Sequence, residues 1–228
     1  MEHTKLFNAI GNKHFYLIVD TETTKYQTVA DFGAVIVTKQ GEIVERFGAM
    51  VAGHFGKMPL FSDPKANPSA FWSEQSAQRR AKNYDDMLES GERSISSPAL
   101  INQWLVRVNA QYSPVLTAYN ISFDLGKCRN TRIDLGIFAQ SFCLMKAAKR
   151  QIGVLAEYHD FCQINGFLTA KMQAPQMTAN VMAKFVLGNE ELEEEPHTAL
   201  EDAQFYEAPI LTKILESVTR KQLLELGR

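Results

Sequence analysis

Phe15-Tyr-Leu-Ile-Val-Asp-Thr-Glu22, Asp31-Phe-Gly-Ala-Val-Ile-Val37 and the stretch from Ile43 to Val51 decide the fold. All three are runs of aromatic and β-branched residues bounded by polar sequence, the pattern of a strand with a buried face. The second strand is placed from Ala30 to Thr38, ahead of the turn signal Lys39-Gln-Gly41. Connections this short cannot join parallel neighbours, so the three strands read as an antiparallel meander that opens a mixed sheet.

Farther along, Pro114-Val-Leu-Thr-Ala-Tyr119 reads as a fourth strand, followed by a helix from about Phe123 and a short apolar segment, Ser141-Phe-Cys-Leu144. Strand, helix and strand in that order make a parallel βα unit. The expected class is therefore α/β, a mixed sheet with antiparallel first strands and later parallel ones, flanked by helices. Between the two halves, Ala52 to Ser97 turns to Gly, Pro and polar residues with scattered aromatics, including Pro59, Pro64, Pro68, Phe71 and Trp72, and reads as an insertion. Within it, Ser73 to Leu88 suits a helix whose Arg79, Arg80 and Lys82 read as a solvated face. Ser97-Pro98 supplies an N-cap and first-turn proline for a helix with Ile101, Trp104, Leu105 and Val108 on one stripe. From Lys146 onward the chain reads as mainly helical, and Pro209 predicts a kink or break. With no repeat and no convincing linker, residues 1–228 read as a single domain carrying an insertion at about 52–97.

Composition bounds the function classes. At 228 residues, 45% hydrophobic and 22% charged, the chain is neither disordered nor fibrous, and it is long enough to bury a substantial core. Apolar runs such as Phe15 to Val19 are too short to span a bilayer, and Met1-Glu-His-Thr-Lys5 lacks a signal pattern, so no membrane partner and a cytoplasmic location are expected. A net charge of −2 gives no overall basic field, which leaves a local groove as the route to nucleic acid. Cys128, Cys143 and Cys162 lie far apart in sequence and read as reduced packing residues.

Asp20 and Glu22 lie two apart at the end of the first strand, so extended backbone projects both carboxylates from one face, where they need a cation. By itself the pair also fits a solvated strand end. Asp124 falls in the first turn of the helix after the fourth strand, with Ser122 as a candidate cap, and favourable placement on the helix dipole would explain it equally well. His197 stands five residues before Asp202, too far round for a shared helical stripe, which places His197 in the entering loop or first turn and Asp202 inside the helix. The Glu190 to Glu195 run just before it reads as a solvated acidic loop. Gly53-His-Phe-Gly-Lys57-Met lacks the spacing and hydroxyl of a phosphate loop.

Together, Val19-Asp-Thr-Glu-Thr-Thr24, Asn120-Ile-Ser-Phe-Asp124 and His197-Thr-Ala-Leu-Glu-Asp-Ala203 resemble the three motifs of the DnaQ-like 3′-5′ exonucleases of the DEDD superfamily, histidine subgroup. Asp31-Phe-Gly-Ala-Val35 resembles that family's second strand. Thr198 occupies the place where the related tyrosine subgroup carries Tyr. The resemblance spans most of the chain and implies a ribonuclease H-like fold and a two-metal phosphodiesterase.

By that resemblance, Asp20 bridges two Mg²⁺ ions, replaceable by Mn²⁺, and Glu22 and Asp202 complete the site of the nucleophilic water. Asp124 holds the second ion and His197 accepts the water's proton. Thr21 and Thr23 are nominated to hold the terminal nucleotide, with Phe123 either a stacking neighbour or plain core. Paired hard cations about 4 Å apart suit phosphodiester hydrolysis, and carboxylates suit such cations. The implied partner is single-stranded nucleic acid with a free 3′ end, the implied product a nucleoside 5′-monophosphate. DNA is the first expectation, with RNA-end trimming and a non-catalytic binding domain as alternatives. A homodimer and a polymerase or replication partner both stay open, and the insertion is a candidate determinant of substrate choice.

Overall fold

The computed structural model describes residues 14–67, 72–193 and 196–228. Met1 to Lys5, Pro68, Phe71, Glu194 and Glu195, all used in the sequence reading, lie outside the described residues. The meander forms as expected: β1 (Phe15–Thr23), β2 (Val29–Thr38) and β3 (Ile43–Val51) pair antiparallel in sequence order. On the far side of β1, β5 (Val115–Ala118) and then β6 (Ser141–Cys143) add in parallel. β4 (Ser94–Ser96), which the sequence reading missed, adds parallel to β3 and gives the six-stranded order β4-β3-β2-β1-β5-β6.

Helices cover both faces. On one, Tyr16, Ile18, Val35 and Val37 pack under α4 (Leu144–Gln151), α6 (Ala179–Leu187) and α8 (Ala208–Leu215). On the other, Leu17, Val19, Ala34 and Ile36 pack on α2 (Pro98–Tyr112) and α3 (Ile121–Thr131). Helix α2 is capped by the Ser97 hydroxyl and buries Ile101, Trp104, Leu105 and Val108, the stripe its sequence predicts. Full burial of such side chains contributes roughly 1.5–3 kcal/mol each, more than a cap at about 1 kcal/mol, so the stripe holds α2 on the sheet. The inserted helix α1 (Glu74–Ser90) closes a third cluster with Ala77, Tyr84 and Met87 against Ala30 and Met50. Its Arg79 and Lys82 are exposed, but Arg80 is buried, which corrects the reading of all three as a solvated face. Arg80 lies on the same stripe as Ser76, Ala77, Tyr84 and Met87.

Pro209 acts as expected on the last long helical run, in an unexpected form. Between α7 (Ala199–Glu201) and α8, residues Asp202–Glu207 form a π-helical turn, with the Ala208 amide donating to the Ala203 carbonyl. Pro209 has no N–H for the Phe205 carbonyl and its ring crowds that carbonyl, so a widened turn removes the clash without ending the helix. Two further helices, α5 (Ala156–Ile164) and α9 (Arg220–Leu226), and a short 3-10 turn at Leu135–Ile137 are also present. No helix among them is long and apolar enough to cross a membrane. All three cysteines are free and buried.

Candidate active site

The parallel strands β1 and β5 end side by side, and their C-terminal ends, where open α/β sheets place their ligands, carry the first two motifs. Residues Asp20 and Glu22 share one face of β1 as the two-residue period requires. Thr21, out of phase, faces α3 and donates from its hydroxyl to Asp124 Oδ1 at 2.8 Å. Helix α3 starts at Ile121, with Asn120 at the N-cap position and making no side-chain cap bond. Ser122 therefore sits in the first turn and is not the cap. The earlier start still leaves Asp124 in the first turn, buried and turned toward β1.

The third motif arrives over the opposite side of Asp20. Gly33 on β2 is the register partner of Asp20, and the backbone of Ala199 and Leu200 lies so close that a Cβ on Gly33 would stand 2.1 Å from the Ala199 carbonyl carbon. Gly48, the partner of Gly33 on β3, extends this trough under Leu200. The buried Asp31 carboxylate accepts the Ala199 N–H at 2.9 Å, and Arg93 links Asp31 to Glu201. Burial pushes the Asp31 carboxyl up to about 7 despite the Arg93 guanidinium. His197 occupies the loop before α7 with φ 54°, a left-handed conformation uncommon for non-glycine residues. Asp202 opens the π-helical turn, inside the helical run as expected.

One cavity of about 540 Å³ is lined by Asp20, Thr21, Glu22, Thr23, Phe123, Asp124, His197 and Asp202, so all eight residues nominated from sequence meet. Glu22 Oε1 lies 3.6 Å from His197 Nδ1, and ligand-capable atoms of Glu22, His197 and Asp202 fall within 4.8 Å of one another. Phe123 is exposed at the cavity with the Lys127 ammonium 4.4 Å from its ring centre, so it is not core. The Thr23 carbonyl accepts the Phe61 N–H at 2.8 Å and fixes that ring at the rim. Trp72, Phe61, Tyr119 and Glu207 also line the cavity and were not nominated. Glu207 follows Asp202 by five residues, which the π-helical turn, with its five-residue hydrogen bonds, brings back to the same side. The proline two positions later was its only sequence signal.

Five carboxylates converge here, and the electrostatics show it. Burial, then the charges of Glu207, Asp124, Asp202 and Glu22, pushes the Asp20 carboxyl well above the usual carboxylate range. Burial raises Asp124 to about 7, against the lowering effect of the Thr21 hydroxyl. Asp20 Oδ2 is buried with no hydrogen-bond partner. A buried oxygen without a donor, ringed by other carboxylates, fits hard divalent cations such as Mg²⁺ or Mn²⁺.

A measurable pH dependence follows. A carboxyl whose folded pKa lies above its unfolded value stabilises the fold below the unfolded value, and that contribution is lost as pH rises through the folded one. For Asp124 the window runs from 3.8 to about 7. Metal-free protein is expected to lose on the order of a few kcal/mol across that range. Mg²⁺ should raise the melting temperature strongly at pH 8 and little at pH 5, where protons compete for the oxygens. Thermal melts at the two pH values with and without Mg²⁺ check this, and an equal rise at both would contradict it.

No family model matches the chain, and no curated protein matches it. Solved structures do. Exonuclease X in complex with 5′ overhanging duplex DNA is 19% identical over 93% of this chain and 99% of that one, with a TM-score of 0.44. Escherichia coli exonuclease I in complex with a 5cy-dT13 oligonucleotide is 15% identical over 94% of this chain, with a TM-score of 0.50. The chain spans 42% of that exonuclease I chain. What the likeness to exonuclease I carries at this identity is the architecture alone: the chain has a ribonuclease H-like fold, a mixed sheet whose β1 and β5 ends present the acidic cavity.

Proposed function

We propose that the chain is a metal-dependent 3′-5′ exonuclease that hydrolyses the terminal phosphodiester of single-stranded DNA and releases nucleoside 5′-monophosphates. The observation that carries this reading is the convergence of the acidic residues and His197, from three distant segments, on one cavity. The 3′-5′ direction rests on the resemblance of the three motifs. Single-stranded substrate is supported by the exposed rings of Trp72 and Phe123 at the cavity, since stacking suits unpaired bases, and by the oligonucleotide bound to the exonuclease I neighbour.

Asp20, Glu22, Asp124 and Asp202 would hold two Mg²⁺ ions, with Glu207 adding negative charge beside Asp20. Bound there, the ions supply a water more acidic than bulk water and neutralise charge on the phosphate and leaving oxygen. His197 accepts the proton of the attacking water, held toward the reaction by Glu22 on its Nδ1 side. As the water oxygen bonds to phosphorus, the bond to the preceding nucleotide's 3′ oxygen breaks, and that oxygen takes up a proton from solvent to leave a new 3′ hydroxyl on the strand. The Thr21 hydroxyl keeps Asp124 oriented through the turnover.

Digestion of matched labelled DNA and RNA oligomers with Mg²⁺ or Mn²⁺ tests the reading. Stepwise loss of mononucleotides from the 3′ end of DNA is expected, with RNA cut more slowly. Faster cutting of RNA would reassign the substrate to RNA ends, and no mononucleotide from either would leave a non-catalytic binding domain.

A further inference from the structure

The inserted segment reaches the site through buried contacts that no motif predicts. Tyr84, fully buried on α1, donates its hydroxyl to the His197 backbone carbonyl at 3.1 Å. One turn earlier on the same stripe, Arg80 places Nη1 3.6 Å from Glu22 Oε2 and donates from Nη2 to the Phe61 carbonyl at 2.8 Å. The other oxygen of Glu22 faces His197 Nδ1 at 3.6 Å. The contacts close a ring: α1 holds the His197 backbone through Tyr84, holds Glu22 through Arg80, and those two residues face each other across the cavity wall. Trp72, with its ring centre 5.4 Å from the Arg80 guanidinium carbon, packs 5.8 Å from the His197 ring centre.

His197 needs such support. A non-glycine residue at φ 54° is strained and persists only where its surroundings over-determine it. The direction of its carbonyl follows from ψ at His197, so holding that carbonyl restrains the backbone from which the imidazole projects. Gripping that carbonyl from a rigid 17-residue helix fixes the ring without touching it.

We propose that Tyr84 is a positioning residue: its hydroxyl holds the His197 backbone in the left-handed conformation from which the imidazole meets Glu22, so that the insertion is part of the reaction site's scaffold. The proposal rests on the exonuclease reading for its effect on rate, and on geometry alone for its effect on His197. Tyr84→Phe deletes only the hydroxyl. In that variant kcat is expected to fall about tenfold or more while KM for a DNA oligomer stays within about twofold, the split that misplacement of a proton acceptor produces. Tyr112→Phe, which removes a hydroxyl bonded to Glu45 away from the cavity, should leave both unchanged. By NMR, the His197 ring signals, displaced by the neighbouring Trp72 ring, should move toward those of an unstructured histidine in Tyr84→Phe, while the His159 signals stay fixed.

Unmoved His197 signals overturn the proposal, and so does a Tyr84→Phe kcat within about twofold of wild type. Failure of wild-type protein to release mononucleotides would instead sink the exonuclease reading, and the NMR comparison would then decide the role of Tyr84 on its own.

Discussion

Replacing Asp20 with alanine is expected to lower mononucleotide release by about a thousandfold or more, equivalent to roughly 4 kcal/mol of transition-state stabilisation. Asp20 stands at the centre of the acidic group: the charges of Glu207, Asp124, Asp202 and Glu22 all act on its carboxyl. Loss of its oxygens removes the group best placed to face two cations at once. The same substitution should leave metal-free protein as stable as wild type at pH 8, or more so, because it deletes one of several mutually repelling carboxylates and a buried oxygen that no donor satisfies. A catalytic role and a structural one thus predict opposite signs in a thermal melt. Cys128→Ser supplies the contrast. Cys128, on α3, is fully buried in the core it shares with α2, with its thiol pushed well up by burial. Serine there should cost stability and spare kcat. Equal losses of activity in the two variants would contradict the assignment of the cations to the carboxylates, as would an Asp20→Ala enzyme within about tenfold of wild type.

How much of this was legible in the sequence depends on which physical signal each element uses. Strands β1 and β2 announce themselves because both of their faces are buried and their runs are largely apolar or β-branched, while β3, half exposed, shows through its β-branched start and its apolar end Ala49–Val51. The eight nominated residues come from the resemblance of three joined motifs; taken singly, the acidic pair at a strand end or the acid at a helix start has an ordinary structural explanation. Strand β4 is not readable: Ser94–Ser96 is three residues long, mostly exposed, and exists through its pairing with β3. Arg80 was misread although its signal was present, since the three- and four-residue spacing from Ser76 through Tyr84 to Met87 places it on the buried stripe; its charge outweighed its position. Glu207 was missed for a geometric reason. Under α-helical periodicity a residue five beyond Asp202 turns away, and only the π-helical turn upstream of Pro209 restores it to the cavity. Proline signalled that the helix would be disturbed, and the spacing alone does not say in which direction.

Gly33→Ala is the second large effect expected, and it tests how the third motif is held. The added methyl would meet the Ala199 carbonyl carbon at 2.1 Å, the Leu200 nitrogen at 2.2 Å and the Ala199 oxygen at 2.3 Å, all backbone atoms that cannot rotate aside. Overpacking of a tight contact costs about 1–3 kcal/mol and occasionally more, and a clash with main chain belongs at the upper end. At about 3 kcal/mol a chain of this length should melt roughly 6–12 °C lower. Lifting α7 off β2 also stretches the Asp31 bond to the Ala199 N–H and carries His197 and Asp202 away from Asp20, the register partner of Gly33. Activity should therefore fall at least about a hundredfold even at temperatures where the variant is folded. Gly126→Ala is the control. Nothing lies within 4 Å of a Cβ at that position in α3, and alanine there should raise stability by about 0.5–1 kcal/mol through backbone entropy. Melts and rates of the two variants, compared at a temperature where both are folded, separate close approach from glycine content. A Gly33→Ala protein that melts and cuts like wild type would mean that α7 does not rest on β2 as described, and the placement of His197 and Asp202 beside Asp20 would fall with it.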